Sequence, residues 1–171
     1  MWDEIAAGAA AESPLWGEAL RADREQEREP VFSPLAAPLH SLGLETIYEG
    51  YLVHYGRPRV FAPSDRDSAI LLGDYLYAHG LVRIAETGDV AAVSDLAELI
   101  SLCAQSRASG RDGDGPAWAA TATSLGAGGL ELARRALRER GDSSVLDAVA
   151  RSVAGDEAVD RALAAHGRFV G

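Results

Sequence analysis

The sequence predicts an all-α fold, a single-domain antiparallel helical bundle, and three observations carry that prediction. Apolar residues recur at helical spacing along most of the chain, while alternation with a period of two is hard to find. Ser-Pro, Asp and Gly stand where helices should start and stop. The chain has 171 residues, and a domain of that size buries about 70% of the surface its unfolded chain exposes, so it needs neither metal nor disulfide to fold.

Residues 1–30 read as an N-terminal helical extension. Ser13 is its N-cap and Pro14 takes the first helical position, where a missing N–H costs nothing. The charged run that follows reads as a solvated helix end, stopped by Pro30. Residues 33–108 read as core helices. The first repeats the Ser-Pro start at Ser33 and Pro34 and runs to Tyr55, with Leu35, Leu39, Leu42, Tyr48, Leu52 and Tyr55 on one apolar stripe. GRPRVFAPSD is a loop, because Pro58 and Pro63 bias the residues before them away from helix. A helix from about Ser64 or Asp67 to Thr87 follows, with Gly88 as its stop signal. Asp89 then caps a helix over 90–108 that sets Val90, Val93, Leu96, Ala97, Ile100 and Ala104 on one side. Residues 109–115 read as a flexible loop. Residues 116–171 carry the C-terminal helices: one opened by Pro116 and closed by Gly141, and two shorter ones capped near Asp142 and Asp156.

Composition removes several function classes. Sixteen basic residues against 26 acidic ones give a formal net charge of -10, which repels nucleic acid and anionic lipid surfaces. No apolar run approaches the roughly 20 residues of a membrane span, and the acidic start MWDEIAAGAAAESP lacks the basic region of a secretory leader. A single cysteine, Cys103, fits a reducing compartment, so the expected location is cytoplasmic. Every basic residue is arginine. Without lysine there is no P-loop lysine and no Schiff base, and kinase and aldolase chemistries fall together.

Few constellations survive. His40, His54, His79 and His166 show no metal-ligand spacing and read as surface or packing residues, and Cys103 reads as a buried, inert thiol. DGDG, residues 112–115, lacks the later oxygen ligands of a calcium loop and reads as a turn. GAGG, residues 126–129, follows a helical pattern and not a strand, so it marks close packing or a helix break. Glu45 and Glu49, at i and i+4, point from one helical face; they are candidate metal ligands, with an exposed acidic pair as the plainer alternative. Asp74 sits in an apolar run, AILLGDYLYAHG, and a buried carboxylate there needs a partner.

The stretch GRPRVFAPSDRDSAILLGDYLYAHGLVRIAETGD resembles the trans-isoprenyl diphosphate synthases, all-helical enzymes that lengthen allylic diphosphates. YGRPR is similar to the family's RRGxPT loop, and ILLGDYLYAHGLVRIAETGD to the GDYL helix that follows it; weaker similarity extends from about Leu35 to Gly141. By register the DDxxD helix falls on ETIYE, where Glu45 and Glu49 keep the outer acids and Thr46 replaces the middle one. His54 and Tyr55 replace the family's twin arginines, and a second aspartate-rich motif is missing.

The resemblance implies a helix-packing role for Gly73, Asp74 and Tyr75, with Asp74 bonded to Arg57 or Arg59. It implies a diphosphate contact through Arg57 and Arg59, and an apolar groove of Leu71, Leu72, Leu76 and Leu81. Ionising an allylic diphosphate requires metal ions held between two facing carboxylate clusters. One weakened cluster does not build that clamp, so no catalytic residue and no cofactor of its own is expected, with magnesium entering only if a prenyl diphosphate binds together with a partner subunit. The expected function is the small, non-catalytic subunit of a two-component polyprenyl diphosphate synthase, an oligomer with a catalytic partner whose apolar chain-length tunnel it shapes. The alternatives are a helical scaffold serving as an interaction subunit of an unrelated assembly, and a stand-alone enzyme using Glu45 and Glu49.

Overall fold

The computed structural model describes residues 1–170. The fold is all-α: α1 (Trp2–Glu12), α2 (Pro14–Glu18), α3 (Ser41–Tyr55), α4 (Arg66–Ala85), α5 (Val90–Ala108), α6 (Asp114–Thr123), α7 (Glu131–Arg140), α8 (Ser144–Ala154) and α9 (Asp156–Val170). One isolated antiparallel bridge, Leu20 to Phe61, is the sole β-type pairing among the described residues.

Helices α3 and α4 form the most extensive contact in the molecule, and glycines set how closely they approach. A Cβ on Gly80 would lie 2.9 Å from the carbonyl oxygen of Gly43, and one on Gly50 would lie 2.9 Å from that of Gly73. The two pairs are seven residues apart on each helix and run in opposite senses, so α3 and α4 are antiparallel and nearly in backbone contact. Around this pair α5, α6, α8 and α9 close the main core. An aromatic group fills its centre: the Phe32 and Trp118 rings stack at 5.6 Å, and Tyr48 meets Trp118 edge-on at 5.0 Å.

Caps account for the better-placed elements. Asp65 Oδ1 accepts the Ser68 N–H at 2.8 Å to start α4, and Asp89 Oδ1 accepts the Ala92 N–H at 2.9 Å to start α5. Ser13 caps α2 as its Ser-Pro signal predicts, with Leu15 N–H donating to its Oγ.

Four expectations are corrected. The helix expected from Ser13 toward Pro30 ends at Glu18, and residues 19–32 run as a strap with one short 3₁₀ turn at Asp23–Glu25, because Arg21 N–H donates to the Val60 carbonyl and Ala62 N–H to that of Ala19. A separate helix, α1, precedes Ser13. Residues 33–40 form two short 3₁₀ turns, so α3 begins at Ser41 and Leu39 is exposed. The helix expected from Pro116 to Gly141 is two, α6 and α7, parted where Gly126, Gly128 and Gly129 adopt positive φ. Finally, the flexible loop expected over 109–115 is ordered at its end: Asp114 and Gly115 are buried in the first turn of α6.

Two glycine substitutions separate close packing from helix propensity. Gly80→Ala forces α3 and α4 apart and should cost about 2 kcal/mol, read as a lower melting temperature by circular dichroism. Gly167→Ala, in α9 with nothing near its would-be Cβ, should raise stability by about 0.5–1 kcal/mol.

Candidate functional site

Three of the residues singled out by charge, Glu45, Glu49 and Arg59, converge on one buried cluster. Glu45 and Glu49 lie one turn apart on α3, and Arg59 comes from the loop between α3 and α4; all three side chains are fully buried. Arg59 Nη1 donates to Glu45 Oε2 at 2.6 Å and Arg59 Nε to Glu49 Oε2 at 2.9 Å. The remaining oxygens are taken by backbone. Glu45 Oε1 accepts the Val31 and Ser33 N–H groups at 3.0 and 3.1 Å, and Glu49 Oε1 accepts those of Arg59 and Val60 at 2.8 Å each. Arg59 Nη1 also reaches the Glu29 carbonyl at 2.8 Å, and the Trp2 and Tyr48 rings lie 4.6 and 4.9 Å from the guanidinium. Burial works against the Arg59 charge, yet Glu45 and Glu49 outweigh it and raise the pKa above the ordinary arginine value. A cation at this depth persists only because both carboxylates face it.

This geometry corrects the reading of Glu45 and Glu49 as an exposed pair or as metal ligands. A divalent ion would have to displace a guanidinium and four backbone N–H donors from the same oxygens, so the residues present do not fit magnesium. No cluster of three or more His, Cys, Asp or Glu side chains suited to a metal occurs among the described residues. Arg59 is likewise not a surface cation for a diphosphate. Arg57 is half-exposed and already paired with Glu27.

The GDYL helix holds a second correction. Asp74 is not buried: its side chain is 68% exposed, and its neighbour is His54 Nε2 at 3.2 Å, not Arg57 or Arg59. The buried face of α4 is Leu72, Gly73, Leu76, Gly80 and Ile84, and Asp74 falls to its side. Gly73 leaves the room that the His54 ring occupies. Tyr75 stacks between α1–α2 and α4, its ring 6.1 Å from that of Trp16 and its hydroxyl donating to the Gly8 carbonyl at 3.2 Å. The expected groove does not form, since Leu72 and Leu76 are buried, Leu81 is half-buried against the main core and Leu71 points to solvent.

A further network was not legible as a site. Tyr48 and Tyr51 of α3, Arg107 of α5, Asp114 of α6 and His166 of α9 meet in the core. Tyr51 donates its hydroxyl to Asp114, Arg107 binds both, and the Tyr48 hydroxyl lies 2.9 Å from His166 Nδ1. His166 Nε2 faces Asp114 at 3.5 Å. Burial acts to raise the Asp114 pKa and is outweighed by His166, the Tyr51 hydroxyl and the Arg107 charge, which hold the carboxyl well below its usual range. Beside it, burial pushes the Cys103 thiol up, so it stays protonated and inert. The only sequence signal for this network is the pair of tyrosines three apart on a helix.

Two surface hollows measure about 190 and 220 Å³, one between residues 29–35 and α9 and the other beside α2 and the start of α4. Both are smaller than the roughly 300–1,000 Å³ of small-molecule sites. No described helix is long and apolar enough to cross a membrane. Comparison with family models, curated proteins and solved structures finds no match for the chain.

Arg59→Met leaves two carboxylates buried without their cation and should cost about 3–5 kcal/mol in urea unfolding. The triple variant E45L/E49L/R59M should not recover that loss, because four backbone N–H donors lose their acceptors; full recovery would show that the cluster is dispensable. Asp114 has a depressed folded pKa, so its contribution is present above the ordinary carboxylate range and lost as pH falls below it. Asp114→Asn should therefore cost about 2 kcal/mol at pH 7, and the gap from the parent chain should narrow as the pH falls below about 4.

Proposed function

We propose that the chain is a non-catalytic subunit of a heteromeric polyprenyl diphosphate synthase. The observation that carries this reading is Arg59. It occupies the two carboxylates that stand, on the resemblance, where a synthase would hold metal-bound diphosphate. A chain that keeps the helical frame around that position and spends its acids on a structural arginine is suited to support a catalytic partner.

The outer face of α4 supplies the contact. Ile70, Leu71 and Val82 are 42%, 57% and 53% exposed, on the same helix that carries the resemblance. Packed on a catalytic subunit, this face would brace the wall of its chain-length tunnel. Each prenyl methylene removed from water is worth about 0.8 kcal/mol, so a shift of that wall by one isoprene unit alters which product is held best.

A second reading, an interaction subunit of an unrelated assembly, is favoured by the filled aromatic core, where Tyr48, Tyr51 and Trp118 occupy the space a prenyl chain would need. The two readings part on product length. Mixed with a polyprenyl diphosphate synthase from the same cell, the chain should form a complex on size exclusion and alter product length, and I70D/L71D should abolish both effects with unchanged circular dichroism. No complex and an unchanged product overturn the synthase reading. Farnesyl diphosphate with magnesium should leave the melting temperature of the isolated chain unchanged, since ligand binding to the native state would raise it.

A further inference from the structure

Helices α1 and α2 are held to the molecule by a hydrophobic cluster of their own. Ile5 and Ala9 of α1, Trp16 of α2 and the following Ala19 pack on a floor of Val60, Phe61, Leu72 and Leu76, apart from the main core. Of the 11 residues in α1 only Ile5 and Ala9 are buried. Among the described residues no backbone–backbone hydrogen bond joins residues 1–18 to the bundle.

The polar ties of α1 are few. Tyr75 donates to the Gly8 carbonyl at 3.2 Å, Arg83 Nη2 to that of Glu4 at 3.0 Å, and Arg28 pairs with Asp3 at 2.9 Å on the surface. Two polar nitrogens beneath α1, His79 Nε2 and Arg83 Nη1, are buried and unbonded, and both side chains lie against Gly8. Buried polar atoms left unbonded oppose the closed arrangement, because opening returns them to water.

The chain beyond this segment is fixed. Residues 27–33 are pinned by Glu27 N–H on the Arg59 carbonyl, by Val31 and Ser33 N–H on Glu45, and by the Glu27–Arg57 and Glu29–Arg168 pairs. Residues 19–21 are fixed as well, by Ala62 N–H on the Ala19 carbonyl and Arg21 N–H on the Val60 carbonyl, so the chain is free to turn only where α2 ends. We propose that α1 and α2 form a lid that swings as one unit about residues 18–19 while the bundle, with residues 19–21 bonded to it, stays folded. Opening uncovers the Leu72 and Leu76 part of the floor together with the side of the Arg59 cluster that Trp2 covers. In the closed state that floor is occupied by the chain's own α1 and α2. Such sub-global opening is expected where a segment has a separate cluster and few ties.

The tryptophans make the lid visible, since Trp2 and Trp16 belong to it and Trp118 to the core. In hydrogen exchange on the full chain, amides of residues 5–18 should exchange together, about 100-fold faster than those of α3. Equal protection overturns the proposal. In Trp118→Phe, the Trp2 and Trp16 emission should shift to the red at a lower urea concentration than the loss of helical circular dichroism; coincident transitions contradict it. Ala9→Asp should speed exchange in residues 5–18 and leave α3 unchanged. If α3 accelerates equally, the lid is not a separate unit, and this measurement decides the matter even if Trp118→Phe fails to fold.

Discussion

Arg59 carries its charge with no exposed surface, and the segments around it are arranged to neutralise it. Two carboxylates come from successive turns of α3, and four backbone N–H groups from the strap and from the loop that holds Arg59 complete their oxygens. A buried ion pair in isolation returns little net stability against its desolvation, but removing one member leaves a charge with no answer. The cluster therefore acts as a specifying constraint: residues 29–33, α3 and residues 59–60 must all be in place for any of them to be.

The same constraint decides what the site can do. The oxygens of Glu45 and Glu49 have no direction left toward solvent, and the aromatic rings of Trp2 and Tyr48 lie close to the cation. The glycine pairs of α3 and α4 bring the helices close enough for the loop between them to turn inward and deliver Arg59. The solvent side of α4 presents Ile70, Leu71 and Val82 beside the exposed carboxylate of Asp74.

The sequence was informative where a local signal matched the tertiary demand. Asp89 caps α5 as predicted, but the buried apolar face of that helix is Ala92, Leu96, Leu99, Leu102 and Cys103, so of the stripe read from the sequence only Leu96 is fully buried and Val90 is exposed. It misled where a partner distant along the chain decided the outcome. Nothing in the i and i+4 spacing of Glu45 and Glu49 announces an arginine that returns from a later loop, and the charged strap has helix-forming residues but pairs its backbone with residues 59–62 instead. Asp74 was misjudged for the opposite reason: its neighbours Ile70 and Leu71 are apolar but exposed, so an apolar run does not by itself mean burial. Asp114 was hidden inside a glycine-rich turn, where its composition suggested mobility and its contacts produce the reverse.

The central claim is that Arg59 and the backbone occupy every oxygen of Glu45 and Glu49 and leave no metal site between them. Titration of the chain with Mn²⁺, following the free ion by electron paramagnetic resonance, tests it directly when run beside E45Q and E49Q chains that remain folded. The account predicts superimposable curves, since weak binding by the acidic surface is common to all. Manganese bound by the parent chain and lost in either variant would contradict it.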